Sequence, residues 1–182
     1  MEYAMKPSTE YDFTLKFMLV RRAANVDALV EQLGVVGCAD AAVGIGQPGR
    51  ISLSFARGAD SAQCAIISAL EAVKSAMPDA KLLEVTPDFV GLTGIAQLVG
   101  VSRQNMRKLM LTHKDSFPVA VHEGSAALWH LYPVLQWLKE RAAYTIAQSL
   151  LDVAYIAMQI NLTKEASQIE HSVQKEVFKL VA

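Results

Sequence analysis

The sequence predicts an α+β fold in three parts. These are a βαββαβ sheet unit over residues 1–87, two short helices followed by a strand pair over 88–141, and a helical tail over 142–182. Three observations carry this. Over residues 11–86, apolar side chains recur at alternate positions and at helical spacing by turns, in the order β-α-β-β-α-β. "TPDFVG" (86–91) then has the punctuation of a domain boundary. Between 142 and 163 the one charged residue is Asp152, an unusual composition for an exposed helix. At 182 residues, 52% apolar and 19% charged, the chain can bury a real core, which excludes a disordered protein.

"YDFTLKFML" (11–19) sets Phe13, Leu15, Phe17 and Leu19 on one face, as a strand does. "NVDALVEQLG" (25–34) opens on Asn25, a good N-cap. It spaces Val26, Leu29, Val30 and Leu33 as a helix and ends on Gly34. "AAVGI" and "ISLSF" are short strands around a turn. The turn, "GIGQPG" (44–49), formally matches the dinucleotide fingerprint GxGxxG, which needs a helix after the glycines to seat a pyrophosphate. Pro48-Gly49-Arg50 leads into a strand instead, so a hairpin is expected. "DSAQCAIISALEAVKSAMP" is a long helix closed by Pro78, and "KLLEV" is a last strand. This order is the split βαβ, or ferredoxin-like, pattern, expected as one sheet with two helices on one face. Such a unit, expected to fold alone over 11–86, could sense a small ligand, add a dimer contact or bind a protein. Arg57 alone in it suggests an anion contact, against the simpler expectation of a surface loop arginine. Cys38 and Cys64 have no metal-ligand spacing and are expected as reduced, largely buried thiols. "MEYAMKPSTEYDF" lacks the basic region and apolar run of a secretion signal, so a cytoplasmic protein is expected.

The net charge of -1 gives no global case for nucleic acid, but the local balance does. Residues 1–90 hold 8 basic and 11 acidic side chains, residues 91–141 hold 6 and 3, and residues 142–182 hold 3 and 4. The positive excess falls around "LTGIAQLVGVSRQNMRKLML" (92–111). Its first half predicts a helix over 93–99. Gly100 breaks it, and Ser102 caps a second helix over 103–111. Ala96 is small enough for the helices to cross closely, while Ile95, Val101, Met106 and Leu109 supply apolar contacts. At about 100° per residue, Arg103, Arg107, Gln104 and Lys108 share an arc of about 140°. Asn105, Met106, Leu109 and Met110 occupy the other side. "FPVAVHEGSAALWHLYPVLQWLKER" (117–141) then predicts strands over 119–121 and 127–129 around Glu123-Gly124. A helix follows from near Leu131, with Pro133 tolerated in its first turn.

The spacing of Ala96, Gly100, Ser102 and the later apolar positions resembles the helix-turn-helix family. Phe117-Pro118, Trp129 and Val134-Leu135-Gln136-Trp137-Leu138 extend the likeness. Over about 90–141 the chain resembles the winged helix-turn-helix of MerR and AlpA/excisionase-like proteins. The resemblance implies that the second helix enters a major groove. There Arg103 and Arg107 can each make two hydrogen bonds to guanine, and Gln104 can do the same to adenine. Lys108 and the Ser102 cap region suit phosphate, and Thr93, Lys114, His122 and Ser125 complete the expected contact set. The wing tip departs from the pattern: Glu123 stands where the family carries Lys or Arg, and it would repel phosphate. His113, His122 and His130 lack ligand spacing and are expected as surface or hydrogen-bonding side chains, with no metal. Trp129 and Trp137 are expected as wing and helix core. The implied function is a sequence-specific, dimeric bacterial DNA-binding protein, a transcription regulator. One alternative is a recombination-directionality or architectural factor; another is an interaction scaffold whose helix-turn-helix does not read DNA. No nucleophile with its base, paired carboxylates or metal cluster stands out, so neither catalysis nor a cofactor is expected.

In the tail, a helix over 131–161 would run roughly 45 Å at ~1.5 Å per residue. Ile146, Leu150, Val153, Ala154, Ala157 and Ile160 leave a narrow stripe of Thr145, Gln148, Ser149, Asp152 and Gln159, which argues against a lipid-facing span. A second helix carries Ala166, Ile169, Val173, Val177 and Leu180 along one face. Together they are expected to dimerise, with Leu150, Val153 and Ala157 facing a partner, so that two recognition helices meet one double-stranded DNA. The rival is packing of both helices onto the chain's own sheet.

Overall fold

The computed structural model describes residues 9–19, 26–141 and 144–181. The expected Asn25 cap, the stretch 1–8 and Ala142 lie outside them. The chain is mixed α+β, built around a four-stranded antiparallel sheet. Its strands are β1 (Thr9–Met18), β2 (Ala41–Ile45), β3 (Arg50–Ala59) and β4 (Lys81–Thr86), in the spatial order β2-β3-β1-β4. Strand alternation works as expected in β1, where Tyr11, Phe13, Leu15 and Phe17 all point into the core. Leu15 lies opposite both Leu53 of β3 and Val85 of β4, and the rings of Phe13 and Phe55 stack at 5.0 Å. The other face is polar, with Thr14 bonded to Ser54 at 3.0 Å and Lys16 paired with Glu84 at 2.8 Å.

Between β2 and β3 the glycine-rich stretch forms a hairpin, with the Arg50 amide donating to the Gln47 carbonyl at 2.9 Å. Gly49 sits at φ 80°, a conformation that costs glycine nothing. No helix follows these glycines, so the dinucleotide reading has no structural basis. Helix α1 (Val26–Leu33) does not end at Gly34 as expected. It runs on through a wide π-type turn, Gly34–Cys38, in which Gly37 takes φ 92°. Helix α2 (Ala62–Ala76) starts at Ser61, whose hydroxyl accepts from the Cys64 amide at 3.1 Å. Cys38 is buried, but Cys64 is exposed, contrary to expectation, because its position on α2 faces away from the sheet.

The 131–161 helix is in fact two. Helix α5 (Leu131–Glu140) stops at Arg141, and α6 (Gln148–Ala166) starts afresh. Helix α6 lies against β1, β4 and α2, and also against α5. Val153 and Ala157 are fully engaged in the sheet's core, while Leu151 and Ala154 pack on Leu131 and Leu135 of α5. Two buried sides explain why the stretch is almost free of charge. They also correct the expectation that Val153 and Ala157 face a partner chain, since both are covered by the chain's own sheet. The sheet therefore carries a third helix, and residues 11–86 do not close their core alone. Helix α7 (His171–Val181) is different: it buries no residue, and Val173, Val177 and Leu180 are exposed. Among the described residues, no helix is long and apolar enough to cross a membrane.

Helix α6 also finishes the β4 edge. Asn161, fully buried, accepts from the Val85 amide at 2.9 Å and donates to the Val85 carbonyl at 2.8 Å. Lys164 donates to the Leu83 carbonyl at 2.6 Å. An edge strand normally presents such groups to any passing strand. Here two side chains of α6 occupy them.

Candidate nucleic-acid interface

The segment after the sheet opens with β5 (Phe89–Val90), which pairs antiparallel with β6 (Trp129–His130). Its entry and exit are thus side by side. Between them lie α3 (Leu92–Leu98) and α4 (Arg103–Thr112). Gly100, at φ 73°, reverses the chain, and the Val101 amide donates back to the Ala96 carbonyl at 2.9 Å. Ser102 caps α4 by accepting from the Asn105 amide at 3.1 Å. Ile95, Ala96 and Met106 are buried together with Phe117, Trp129, Val134, Trp137 and Leu138. Sequence spacing foresaw this core because one small and several apolar positions fall on facing stripes.

With Met106 turned inward and Leu109 and Met110 partly covered, Arg103, Gln104, Arg107 and Lys108 are left exposed on α4. Their side chains make no hydrogen bond or ion pair with the described residues. Gln104, Arg107 and Lys108 line one shallow groove with Leu111 and Thr112. Arg103 turns towards a cleft of about 300 Å³ that it shares with Thr93, Ser125 and Trp129. Of the expected contact set, Ser102 has its hydroxyl committed to the cap. Lys114 lies exposed just beyond α4, and His122 is exposed in the wing. Neither lines the cleft or the groove.

The wing is slighter than the two strands expected over 119–121 and 127–129. One bridge joins His122 to Leu128, and the Val121 amide donates to the Leu128 carbonyl at 2.8 Å. Trp129 belongs instead to the ladder with β5. Glycine and alanine around the tip offer little side-chain surface to hold a longer hairpin. Its root is firm, with the Trp129 indole donating to the Pro118 carbonyl at 3.0 Å and Phe117 edge-on to both tryptophans. Trp129 and Trp137 are core, as expected. Arg141, which sequence reasoning missed, stacks over Trp137 at 3.8 Å and donates to Ser116 at 2.9 Å. The buried Trp137 indole N–H has no partner among the described residues, at a cost of about 1–3 kcal/mol.

Elsewhere, Arg57 is in β3 and not in a loop. Its guanidinium forks onto Asp40 with two contacts of 2.7 Å, and also reaches Ser68 and the Gly37 carbonyl. A cation so fully engaged is structural. Arg57's hydrogen bonds hold the Asp40 carboxyl below its ordinary range, whereas burial pushes the Cys38 thiol up. No three His, Cys, Asp or Glu side chains among the described residues gather as a metal site would require. His130 hydrogen-bonds Asp88 at 2.7 Å. Sequence reasoning missed Asp88 and Asn161. The one signal was an asparagine four residues after Ala157, on the face of the helix that carries Val153 and Ala157 and off its polar stripe. Comparisons with protein-family models, curated proteins and solved structures find no match to this chain.

Proposed function

We propose that this chain is a sequence-specific, double-stranded-DNA-binding protein that acts as a homodimer, and that its role is transcription regulation. The observation that carries this is the face of α4. Arg103, Gln104, Arg107 and Lys108 stand exposed on it without a side-chain partner among the described residues, while Met106 anchors its back to α3. Arginine, glutamine and lysine at that spacing offer the donors that base edges and phosphates accept. The strand order β2-β3-β1-β4 supports a ferredoxin-like reading of the sheet unit, and Trp129, Phe117 and Trp137 support a winged helix-turn-helix reading of the segment after it.

The dimer reading rests on α7. Its apolar stripe of Val173, Val177 and Leu180 is exposed, with no cover among the described residues. Sedimentation should give a dimer for the wild type and a monomer for Val173→Glu with Val177→Glu; a monomeric wild type at micromolar concentration would remove this element. For DNA, the test is selection of bound duplexes from a random pool. Enrichment of one motif with two half-sites is expected, and recovery of unenriched sequence would overturn specific reading. A second reading, the protein-interaction scaffold, has an observation of its own. Leu111 is exposed in the basic groove of α4, Val119 and Val121 are exposed in the wing, and Glu123 carries the wrong charge for phosphate. An architectural or recombination role keeps the DNA and predicts strong bending of the selected duplex.

A further inference from the structure

Asp88 is a fully buried carboxylate on the short link between β4 and β5. Its Oδ2 accepts from Asn161 Nδ2 at 2.8 Å, and its Oδ1 faces His130 Nδ1 at 2.7 Å. Its backbone carbonyl accepts from the Leu131 amide at 2.8 Å, at the start of α5. Asn161 in turn grips both backbone groups of Val85. One cluster therefore touches the sheet edge, the entry and exit ladder of the helix-turn-helix segment, the first turn of α5, and α6.

We propose that Asp88, His130 and Asn161 form a latch that fixes the orientation of the α3–α4 unit relative to the sheet, and that Asn161 is the positioning residue through which docking of α6 sets it. As a statement about DNA recognition, this rests on the reading of α4 given above; as a statement about orientation, it does not. The donor and acceptor pattern makes the latch directional. Val85 N–H requires an oxygen at Asn161 Oδ1, so Nδ2 must point to the Val85 carbonyl and to Asp88. An Asn161→Asp substitution would set a carboxyl oxygen against both, so the pair at 88 and 161 must either repel or take up a proton between them, and a single shared proton leaves the Val85 carbonyl without its donor. Asp88→Asn behaves differently. Its amide can donate to His130, which accepts by moving its proton to Nε2, while its oxygen still faces Asn161. A carboxylate that merely filled space would show no such asymmetry.

The test is amide hydrogen exchange on the full chain, with DNA affinity as a separate readout. Asn161→Asp should lower protection of the Val85 and Leu131 amides at least tenfold, while Met106 within α4 stays near wild type. Asp88→Asn should leave all three within about threefold. The double variant should recover a good part of the Leu131 protection, because the side-chain amide introduced at position 88 can then donate to the carboxylate introduced at position 161. Should Asn161→Asp fail to fold, Asn161→Ala removes both bonds and should show the same loss of protection at Val85 and Leu131, without the double-variant rescue. On a selected two-half-site duplex, the latch-broken variant should bind at least tenfold more weakly, with single-half-site binding within twofold. Loss of protection at Val85 with Leu131 unchanged would overturn the latch, because Asn161 would then serve the sheet edge alone. Loss at both amides in a protein that binds no duplex would uphold the latch and overturn the DNA reading instead.

Discussion

Helices α4 and α6 treat polarity in opposite ways. In α6, Asn161 and Lys164 turn towards the chain's own backbone and complete an exposed strand edge. In α4, Arg103, Gln104, Arg107 and Lys108 turn outward and bond to nothing described. A polar side chain with a buried internal partner is part of the architecture, and removing it leaves a group that water cannot reach. A row of cationic and amide side chains without partners among the described residues adds nothing to stability, and its place on a well-anchored helix asks for an external explanation. The contrast separates what holds this molecule together from what it offers to others.

The largest effect should come from the α6 side. Val153→Glu would bury an unpaired carboxylate among β1, α2 and α6. It should cost about 3–5 kcal/mol, a large share of the roughly 5–15 kcal/mol that holds a domain folded, and move the denaturant midpoint far down. A fragment ending at Thr86 should lack a cooperative transition, because Val153, Ala157 and Asn161 would be missing. A fragment that melts sharply would erase the distinction between the two helices. On α4 the expectation inverts. Arg103→Ala and Arg107→Ala should each weaken binding to a selected duplex by about 1–3 kcal/mol. Their unfolding free energies should move by no more than about 0.5 kcal/mol. Lys108→Ala should weaken all sequences alike and flatten the salt dependence. Equal losses of stability from the arginine and valine variants would break the comparison.

The smallest effect concerns Arg57, a cation of the architectural kind. Asp40 has a folded pKa below its unfolded value of about 3.9, through the hydrogen bonds from Arg57. Its contribution is therefore fully present above about pH 4 and is lost as pH falls through the depressed folded value. Asp40→Asn should flatten the acid limb of stability against pH and leave the neutral plateau slightly lower. An unchanged acid limb would mean that the fork is only geometry.

What could be read from sequence follows from the range of the interactions. The four strands of the main sheet and α2 were legible because period-two and period-3.6 patterns are local, and the Ala96–Gly100–Ser102 turn was legible for the same reason; β5, two residues long, carries no such pattern. The exposure of Arg103, Gln104, Arg107 and Lys108 followed from the helical wheel. The fate of α6 was not legible. An uncharged helix looks the same whether a partner chain or its own sheet covers it, and only the tertiary contact of Val153 with β1 decides. Asp88 and Asn161 are 73 positions apart in sequence, so no local pattern joins them. The break after α5 was missed because apolar spacing continues across it. Arg57 was misplaced because β3 runs further than its apolar core, to Ala59.

The bond between Val85 and Asn161 closes a loop spanning 76 positions, and the β5–β6 ladder sits inside that loop. Order of assembly during synthesis follows from this. As the chain emerges from a ribosome, residues of the α3–α4 unit can find most of their partners before Leu138 is out. The sheet, though made earlier, waits for Val153 to cover it and for Asn161 to seal its edge. Long-range closures of this kind are slow, and an uncovered edge strand is open to other nascent chains in the meantime. Pulsed hydrogen exchange during refolding should protect the Met106 amide before that of Val85. The reverse order would show that the sheet gathers without its third helix.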